Sequence, residues 1–333
     1  MNCRIAIVGA GFCGLAAAIR LQKKARAAVT VFDGRRPYEK ASLIASGIIH
    51  PFLGQSSRPA YLYEAALREA FQLFDEVKGY SDRPFLNHHG VIKLALTDQH
   101  KEIFQRLVET HPEIKKGVWA APPLKKAFEG IHIPFGKTIF SAKYLDALEN
   151  YLKALGGKLI QRQVEDLSEL KKEYDVIIVA AGKNSPALLK LEGLKINKGQ
   201  LLVGRFTEPV FISASLSAKG YISPTEHRDV YSIGSTYEHH FTTPLPTQAG
   251  KEMILSDASN YLNTAAFSLE AIHVGFRLTK KINGVPLLKR IDDQVVALTA
   301  MGSRGLLYHA LMAKYLEEHL FLGQPFLKEL EVF

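Results

Sequence analysis

Three glycines spaced Gly9-x-Gly11-x-x-Gly14 constrain this 333-residue chain more than any other feature in it. Alone, the pattern is weak. Its setting strengthens it. Arg4–Val8 is a continuous apolar run of the kind a strand buried on both faces presents. Leu15–Ala25 is rich in small and apolar residues and reads as a helix, and Ala28–Phe32 is a second apolar strand that ends at Asp33. Strand, glycine loop, helix and strand form one βαβ unit of about 30 residues. In such a unit Gly9 makes the tight turn, Gly11 lets backbone N–H groups approach a pyrophosphate, and Gly14 lets helix and strand pack closely. The helix N-terminus then stabilises phosphate charge.

Asp33 stands 19 positions after Gly14. A carboxylate there accepts hydrogen bonds from a ribose 2′-hydroxyl and repels a 2′-phosphate, which favours FAD or NAD over NADP. Arg35 and Arg36 follow at once and keep NADP in play.

Further along, Ala60–Val77, His100–Glu109 and Tyr144–Leu155 have helical spacing, the last closed by Gly156-Gly157. Gly90–Leu96, Lys158–Gln163, Tyr174–Ala181 and Gln294–Met301 read as strands. His111–Gly136 carries four prolines and reads as irregular. From Gly199 to Gly234 short strands are separated by Gly, Pro, Ser and Asp, which predicts an antiparallel sheet. The final apolar strand runs into Gly302-Ser-Arg-Gly305 and a helix over Leu306–Phe321. A chain this long predicts two domains. No long linker separates them, so the second is expected as insertions between parts of the first.

Composition places the chain in an ordinary soluble globular class, with 47% hydrophobic and 23% charged residues. No apolar run reaches the roughly 18 residues that a transmembrane helix needs. The start of the chain is interrupted by the three glycines and lacks a cleavage pattern, so it reads as strand, loop and helix and not as a targeting segment. Cys3 and Cys13 are the two cysteines, both in the first unit, and reduced thiols fit a cytoplasmic location. Forty-two basic against 33 acidic residues give a net charge of +9. That excess permits a nucleic-acid partner docked on a folded basic face. It comes as the pairs Lys115-Lys116, Lys125-Lys126, Lys280-Lys281 and Lys289-Arg290, with no basic tail. The pairs His88-His89 and His239-His240 lack carboxylate or cysteine partners at ligand spacing, so no metal site is expected.

Two further segments decide between FAD and NAD. Asp175-Val-Ile-Ile-Val-Ala-Ala-Gly182 resembles the second nucleotide-side strand of flavoproteins with two dinucleotide-binding halves. Gly302-Ser-Arg-Gly305-Leu306 resembles their C-terminal strand-to-helix turn, where a helix N-terminus faces the flavin. In order along the chain, the fingerprint, Ala45-Ser46-Gly47-Ile48-Ile49-His50-Pro51, Ala180-Ala-Gly182, Lys198-Gly199-Gln200, Gly275-Phe276-Arg277 and the C-terminal glycine turn together resemble the D-amino acid oxidase superfamily, glycine oxidase-like branch. Within it the chain is most similar to the FAD-dependent oxidase domain of MnmC, a bifunctional bacterial tRNA-modifying enzyme. Ala45–Leu53, Gly234-Ser-Thr-Tyr-Glu238, Gly275-Phe-Arg277 and Met301-Gly-Ser-Arg-Gly-Leu-Leu307 carry that likeness, the last most specifically. Three departures stand beside it. The fingerprint strand begins at Arg4, so the methyltransferase domain of the bifunctional enzyme is not expected here. His50 stands where an aromatic usually precedes the proline, and Leu278 follows Arg277 where many members have proline.

The resemblance implies an α/β (α+β overall) fold: a Rossmann-like FAD-binding domain over 1–80, 137–198 and 275–333, with an inserted antiparallel-sheet substrate domain over 81–136 and 199–274. It implies non-covalent FAD, since no cysteine follows Cys13. Cofactor contacts fall on Gly9, Gly11, Gly14, Asp33, Ser46, Gly47, Val164, Gly182, Gly302, Ser303, Arg304, Gly305 and Leu306. The implied chemistry is oxidation at the carbon next to an amine. Arg277 is the candidate clamp for a substrate carboxylate. Tyr237 and Tyr221 could bring hydroxyls to the same pocket or be core aromatics, and His50 could touch the flavin, receive a proton through water, or be structural. Three functions remain open: oxidation of the carboxymethylaminomethyl group on the tRNA wobble uridine, oxidation of a small amine such as glycine, sarcosine or a D-amino acid, and flavin binding without turnover.

Overall fold

The structure is a computed structural model and describes residues 3–25, 27–34, 40–54, 56–280 and 284–332. Arg35, Arg36 and Lys281 lie outside the described residues. The first third of the chain runs β1 (Cys3–Val8), α1 (Phe12–Gln22), β2 (Ala27–Asp33), the two-residue strands β3 (Ile48–Ile49), β4 (Phe52–Leu53) and β5 (Arg58–Pro59), then α2 (Tyr63–Val77), β6 (Leu86–Asn87), β7 (Val91–Leu94) and α3 (Asp98–Thr110). The middle runs β8 (Lys115–Trp119), β9 (Phe128–Ile133), β10 (Lys137–Ile139), α4 (Ser141–Ala154), β11 (Lys158–Gln161), α5 (Ser168–Glu173), β12 (Val176–Val179), α6 (Ser185–Leu189) and β13 (Leu194–Phe206). The remainder is β14 (Ser215–Ala218), β15 (Gly220–Pro224), β16 (Tyr231–Gly234), α7 (Gln248–Ala258), β17 (Phe267–Lys280), β18 (Leu287–Arg290), β19 (Val295–Thr299), α8 (Gly305–Leu322) and α9 (Lys328–Glu331).

Two large sheets organise these elements. The first has the order β11-β2-β1-β12-β19-β18, parallel except for the edge strand β18. Its inner strands β1, β2, β12 and β19 are largely apolar because both faces are covered. Alternate residues of β1 divide between two cores: Ile5 and Ile7 pack with α1, α4 and α8, while Ala6 and Val8 pack on the opposite face with Val164, Leu170 and Leu189. Successive Cβ atoms on a strand point to opposite faces, so one pentapeptide serves both layers. Three consecutive alanines, Ala16, Ala17 and Ala18, are buried on α1 and allow it to sit close against α8.

The second sheet has eight strands in the order β17-β13-β16-β15-β14-β7-β9-β8. Every pairing is antiparallel except that of β7 with β14. The long strands β13 and β17 pair from Leu194/Lys280 to Phe206/Phe267 at one edge of this sheet. The division points 198/199 and 274/275 both lie inside these two strands. At the other edge, Lys115 and Lys116 on β8 are exposed, and lysines on an edge strand discourage pairing with another chain.

Two expectations need correction. Residues 111–136 are not irregular, for they contain β8 and β9. The four prolines, at 112, 122, 123 and 134, all fall outside the two strands, so they punctuate the hairpin and do not prevent it. The strands from Gly199 to Gly234 are not uniformly short either, since β13, which runs into that stretch, has 13 residues.

Candidate active site

The glycine loop packs by contact between backbones. A Cβ on Gly9, whose φ is +109°, would lie 2.5 Å from the Ala180 carbonyl oxygen at the end of β12. A Cβ on Gly14 would lie 1.9 Å from the carbonyl oxygen of Gly9. Neither position can hold a side chain while loop, helix and strand keep this approach. Asp33 is buried at the end of β2. Its carboxylate accepts the Ala10 N–H at 2.8 Å and pairs with Lys40. Helix α1 begins at Phe12 with no side-chain cap and no acidic residue in its first turn, which leaves an electropositive helix end.

Two cavities of about 480 Å³ each open on this loop. One is lined by Asp33, Lys40, Arg162 and Val164. The other is lined by Ser46, Gly47, His50, Arg277 and the run Gly302–Leu306. Gly11, Ser42, Ala180, Gly182 and Phe276 line both. The result is one elongated trough that passes across the end of α1.

The far cavity has a helix end of its own. Helix α8 starts at Gly305 without a side-chain cap. Across from it, the loop 45–47 has all its carbonyls engaged elsewhere. Ser141 Oγ donates to Ala45 O at 2.9 Å, Ser223 Oγ to Ser46 O at 3.4 Å, and the Ile139 N–H to Gly47 O at 2.9 Å. His50 is buried and lines the cavity, yet its Nδ1 has no hydrogen-bond partner. Burial, with Lys93 nearby, pushes its pKa down to about 3, so the ring is neutral at neutral pH. Lys93 donates to the carbonyls of Phe52 at 2.7 Å and Gly54 at 2.8 Å, and burial lowers its pKa to about 7.

Arg277 reaches the cavity from β17. Its Nη1 donates to Thr236 O at 3.1 Å and its Nη2 to Ser235 Oγ at 2.8 Å, and the guanidinium carbon sits 5.4 Å from the centre of the Tyr237 ring. Tyr237 itself lines neither cavity and is 45% exposed, whereas Tyr221 does line the second one. Arg304 lines the cavity, but its Nη1 donates to Gly284 O at 3.2 Å. Ser303 is exposed. The groups around Arg277 that sequence reasoning passed over are Ser235, Thr236 and Glu238. Their only signal is their place in the segment Gly234–Glu238.

An elongated trough with a glycine turn at its middle, an uncapped helix end at each half and an orphaned imidazole nitrogen fits FAD, whose pyrophosphate and flavin need such donors. The model of the FAD dependent oxidoreductase family, DAO, matches residues 4–319. The protein is a DAO-family FAD-dependent oxidoreductase.

This oxidoreductase is 26% identical to human D-aspartate oxidase over 212 residues, which span 60% of the chain and 59% of that protein. The match thus covers about three fifths of that relative's length. Its fold is that of glycine oxidase from Geobacillus kaustophilus, with a TM-score of 0.83 at 19% identity, covering 100% of this chain and 99% of that one. Iminodiacetate oxidase from Chelativorans sp. BNC1 gives a TM-score of 0.82 at 21% identity, with 98% of both chains covered. Among the described residues of the oxidoreductase, no group of three or more His, Cys, Asp and Glu side chains could hold a metal ion, and no helix is long and apolar enough to cross a membrane. Cys13 lines the cavity of His50 and Arg277, the one that would take the flavin, but burial pushes its thiol up to about 12, which leaves it protonated. One part of the basic surface drops out: Lys280 is buried, and its Nζ donates to Glu329 O at 2.6 Å.

Proposed function

We propose that the protein oxidises the C–N bond of an N-substituted glycine, and that this group is the carboxymethylaminomethyl substituent of the tRNA wobble uridine. One observation carries the first half: Arg277 enters the flavin-side cavity with its fork already fixed by Ser235 and Thr236. A guanidinium held in this way recognises a carboxylate with little further loss of side-chain freedom, and so orients the adjacent C–H bond. Bound FAD supplies the acceptor for the hydride that leaves that carbon. The neutral His50 ring offers a hydrogen-bonding nitrogen inside the cavity without adding a positive charge beside the amine, which must be neutral for its lone pair to take part. The C–H bond breaks as the amine lone pair forms C=N, and water then divides that imine into glyoxylate and the shortened amine.

The tRNA half is supported by the Gly302–Leu307 turn, the net charge of +9, and the exposed pairs Lys115-Lys116 and Lys125-Lys126. Phosphate contacts from such residues usually supply most of the affinity for nucleic acid. The second reading, a small-molecule amine or amino acid oxidase for glycine, sarcosine or a D-amino acid, is favoured by the likeness to D-aspartate oxidase, glycine oxidase and iminodiacetate oxidase. Nucleoside mass spectrometry of a deletion strain separates the two. The tRNA reading requires carboxymethylaminomethyl-uridine to accumulate and the aminomethyl products to vanish. An unchanged nucleoside profile, together with rapid oxidation of free glycine or sarcosine, establishes the small-molecule reading in its place.

A further inference from the structure

Beside Arg277 lies a largely buried polar cluster whose carboxylate, Glu238, lines neither cavity, although Gln200 lines the one that holds Arg277. The fork of Arg277 rests on residues 235 and 236, so whatever holds that segment also holds the fork. Backbone hydrogen bonds tie it to β13: the Thr236 N–H donates to Gln200 O at 3.1 Å, and Lys198 and Glu238 exchange N–H···O bonds of 3.0 and 2.8 Å. The Glu238 carboxylate draws the side chains together. Its Oε1 accepts from Gln200 Nε2 at 2.7 Å and from the Thr236 hydroxyl at 2.7 Å. Its Oε2 lies 3.6 Å from Lys198 Nζ. The Thr236 hydroxyl in turn accepts the Gln200 backbone N–H at 2.9 Å, so it both donates and accepts within this cluster.

Lys198 and Gln200 are fully buried, and the Lys198 ammonium makes no hydrogen bond. Glu238 is therefore the group that compensates a buried charge, and it does so from the residue that also fixes Thr236. Burial works to raise the Glu238 carboxyl, but the hydrogen bonds from Gln200 and Thr236 and the Lys198 charge outweigh it and hold the group below the usual carboxylate range. It is thus an anion at neutral pH, as the cluster requires. Removing the charge would weaken the acceptor that the Thr236 hydroxyl, the Gln200 amide and the Lys198 ammonium share, with Lys198 and Gln200 fully buried.

We propose that Glu238 is a positioning residue for substrate binding: it lines neither cavity, and it sets the Arg277 fork by holding Thr236, whose carbonyl accepts from Arg277, beside β13. This rests on the reading of Arg277 as the carboxylate anchor. Small displacements of an orienting group lower binding and rate steeply, so the effect should appear in carboxylate affinity.

The test uses the FAD-loaded protein and acetate as probe, with binding followed through the visible absorption of the flavin. Glu238→Gln and Thr236→Val should each retain FAD and weaken acetate about tenfold. Thr236→Val keeps the Lys198–Glu238 pair, so it remains informative if Glu238→Gln folds poorly. A structural role alone would lower the unfolding midpoint and leave the acetate dissociation constant unchanged in both variants. That result overturns the proposal. Arg277→Ala, measured alongside, keeps the two ideas apart. If the parent does not bind acetate, or Arg277→Ala binds it as the parent does, the anchor reading itself falls. If Arg277→Ala loses acetate and the other two variants do not, only the role of Glu238 falls.

Discussion

The Tyr144 hydroxyl donates to His309 Nε2 across 2.6 Å, in a seam between α4 and α8 where both residues are fully buried. The Nδ1 of the same ring lies 2.8 Å from the Leu306 carbonyl, an acceptor, which places the proton on Nδ1 and leaves Nε2 to accept. Leu306 is in the first turn of α8, at the wall of the flavin-side cavity. The pair therefore ties the helix end at that cavity to the helix layer behind it.

Acid should loosen this seam. Burial lowers His309 to about 4 and His50 to about 3, against an unfolded value near 6.5. Between those values the unfolded chain binds more protons than the folded one, so stability falls as pH drops through 6.5 toward 4. For His309 the full effect is on the order of 3 kcal/mol. Urea unfolding at pH 7, 5.5 and 4.5 should show the decline, and His309→Gln should flatten the slope while lowering stability at pH 7. A stability that is level across this range removes the assignment of both rings as neutral.

The glycines of the loop should separate folding from cofactor binding. A Cβ on Gly14 meets the Gly9 backbone at 1.9 Å, whereas a Cβ on Gly11 meets the movable Ser42 hydroxyl at 3.0 Å. Gly14→Ala should destabilise the cofactor-free protein by about 1–3 kcal/mol, the usual range for overpacking. Gly11→Val should fold, yet obstruct the junction of the two cavities and carry no FAD. Flavin content measured beside the unfolding midpoint checks both, and a yellow Gly11→Val protein would move the pyrophosphate elsewhere.

Arg277→Ala should retain FAD and lose affinity for a carboxylated amine by about 2–5 kcal/mol, the cost of removing one partner of a desolvated charged pair. Arg277→Lys should recover only part of it, because an ammonium cannot reproduce the fork that Ser235 and Thr236 now hold. Steady-state kinetics on the same amine decide this, and unchanged KM values in both variants would place the anchor on another residue.

If tRNA is the substrate, its affinity should fall steeply between 50 and 200 mM salt, roughly in proportion to the phosphates neutralised. Replacing Lys115, Lys116, Lys125 and Lys126 with alanine should lower the salt slope by about one for each phosphate that no longer meets a lysine. Oxidation of a free amine by the same variant should be unaffected, since none of the four lines a cavity. A slope that does not change shows that tRNA, if bound, docks on another face.

The nucleotide half was legible in the sequence because its signals are local. Gly9–Gly14, the apolar runs of β1, β2, β12 and β19, and the turn at Gly302–Gly305 each declare themselves within a few residues. The substrate half depends on pairing between distant strands. β13 and β17 align residues up to 86 positions apart, as with Leu194 and Lys280, and no local pattern states that register. Arg277 was found through a short motif. Its supports were not, because the Thr236 carbonyl is a backbone group and the role of Glu238 depends on Lys198 and Gln200 across the sheet. Tyr237 shows the reverse case: chemically suited to a pocket and close in sequence to one, it sits outside the cavity with its ring against Arg277.

The strand order of the nucleotide sheet has a consequence for synthesis. β1 pairs with β12, which starts at Val176, and β12 pairs with β19, which ends at Thr299. During translation the glycine loop emerges long before the strand that leads to the second helix end. At 5–20 residues per second that interval is roughly 15–60 s. During it, β1 has α1 and later α4 against it but lacks α8, the helix that completes that layer. A nascent chain of this protein should therefore depend on chaperones until β19 has emerged, and acquire its flavin only after that point.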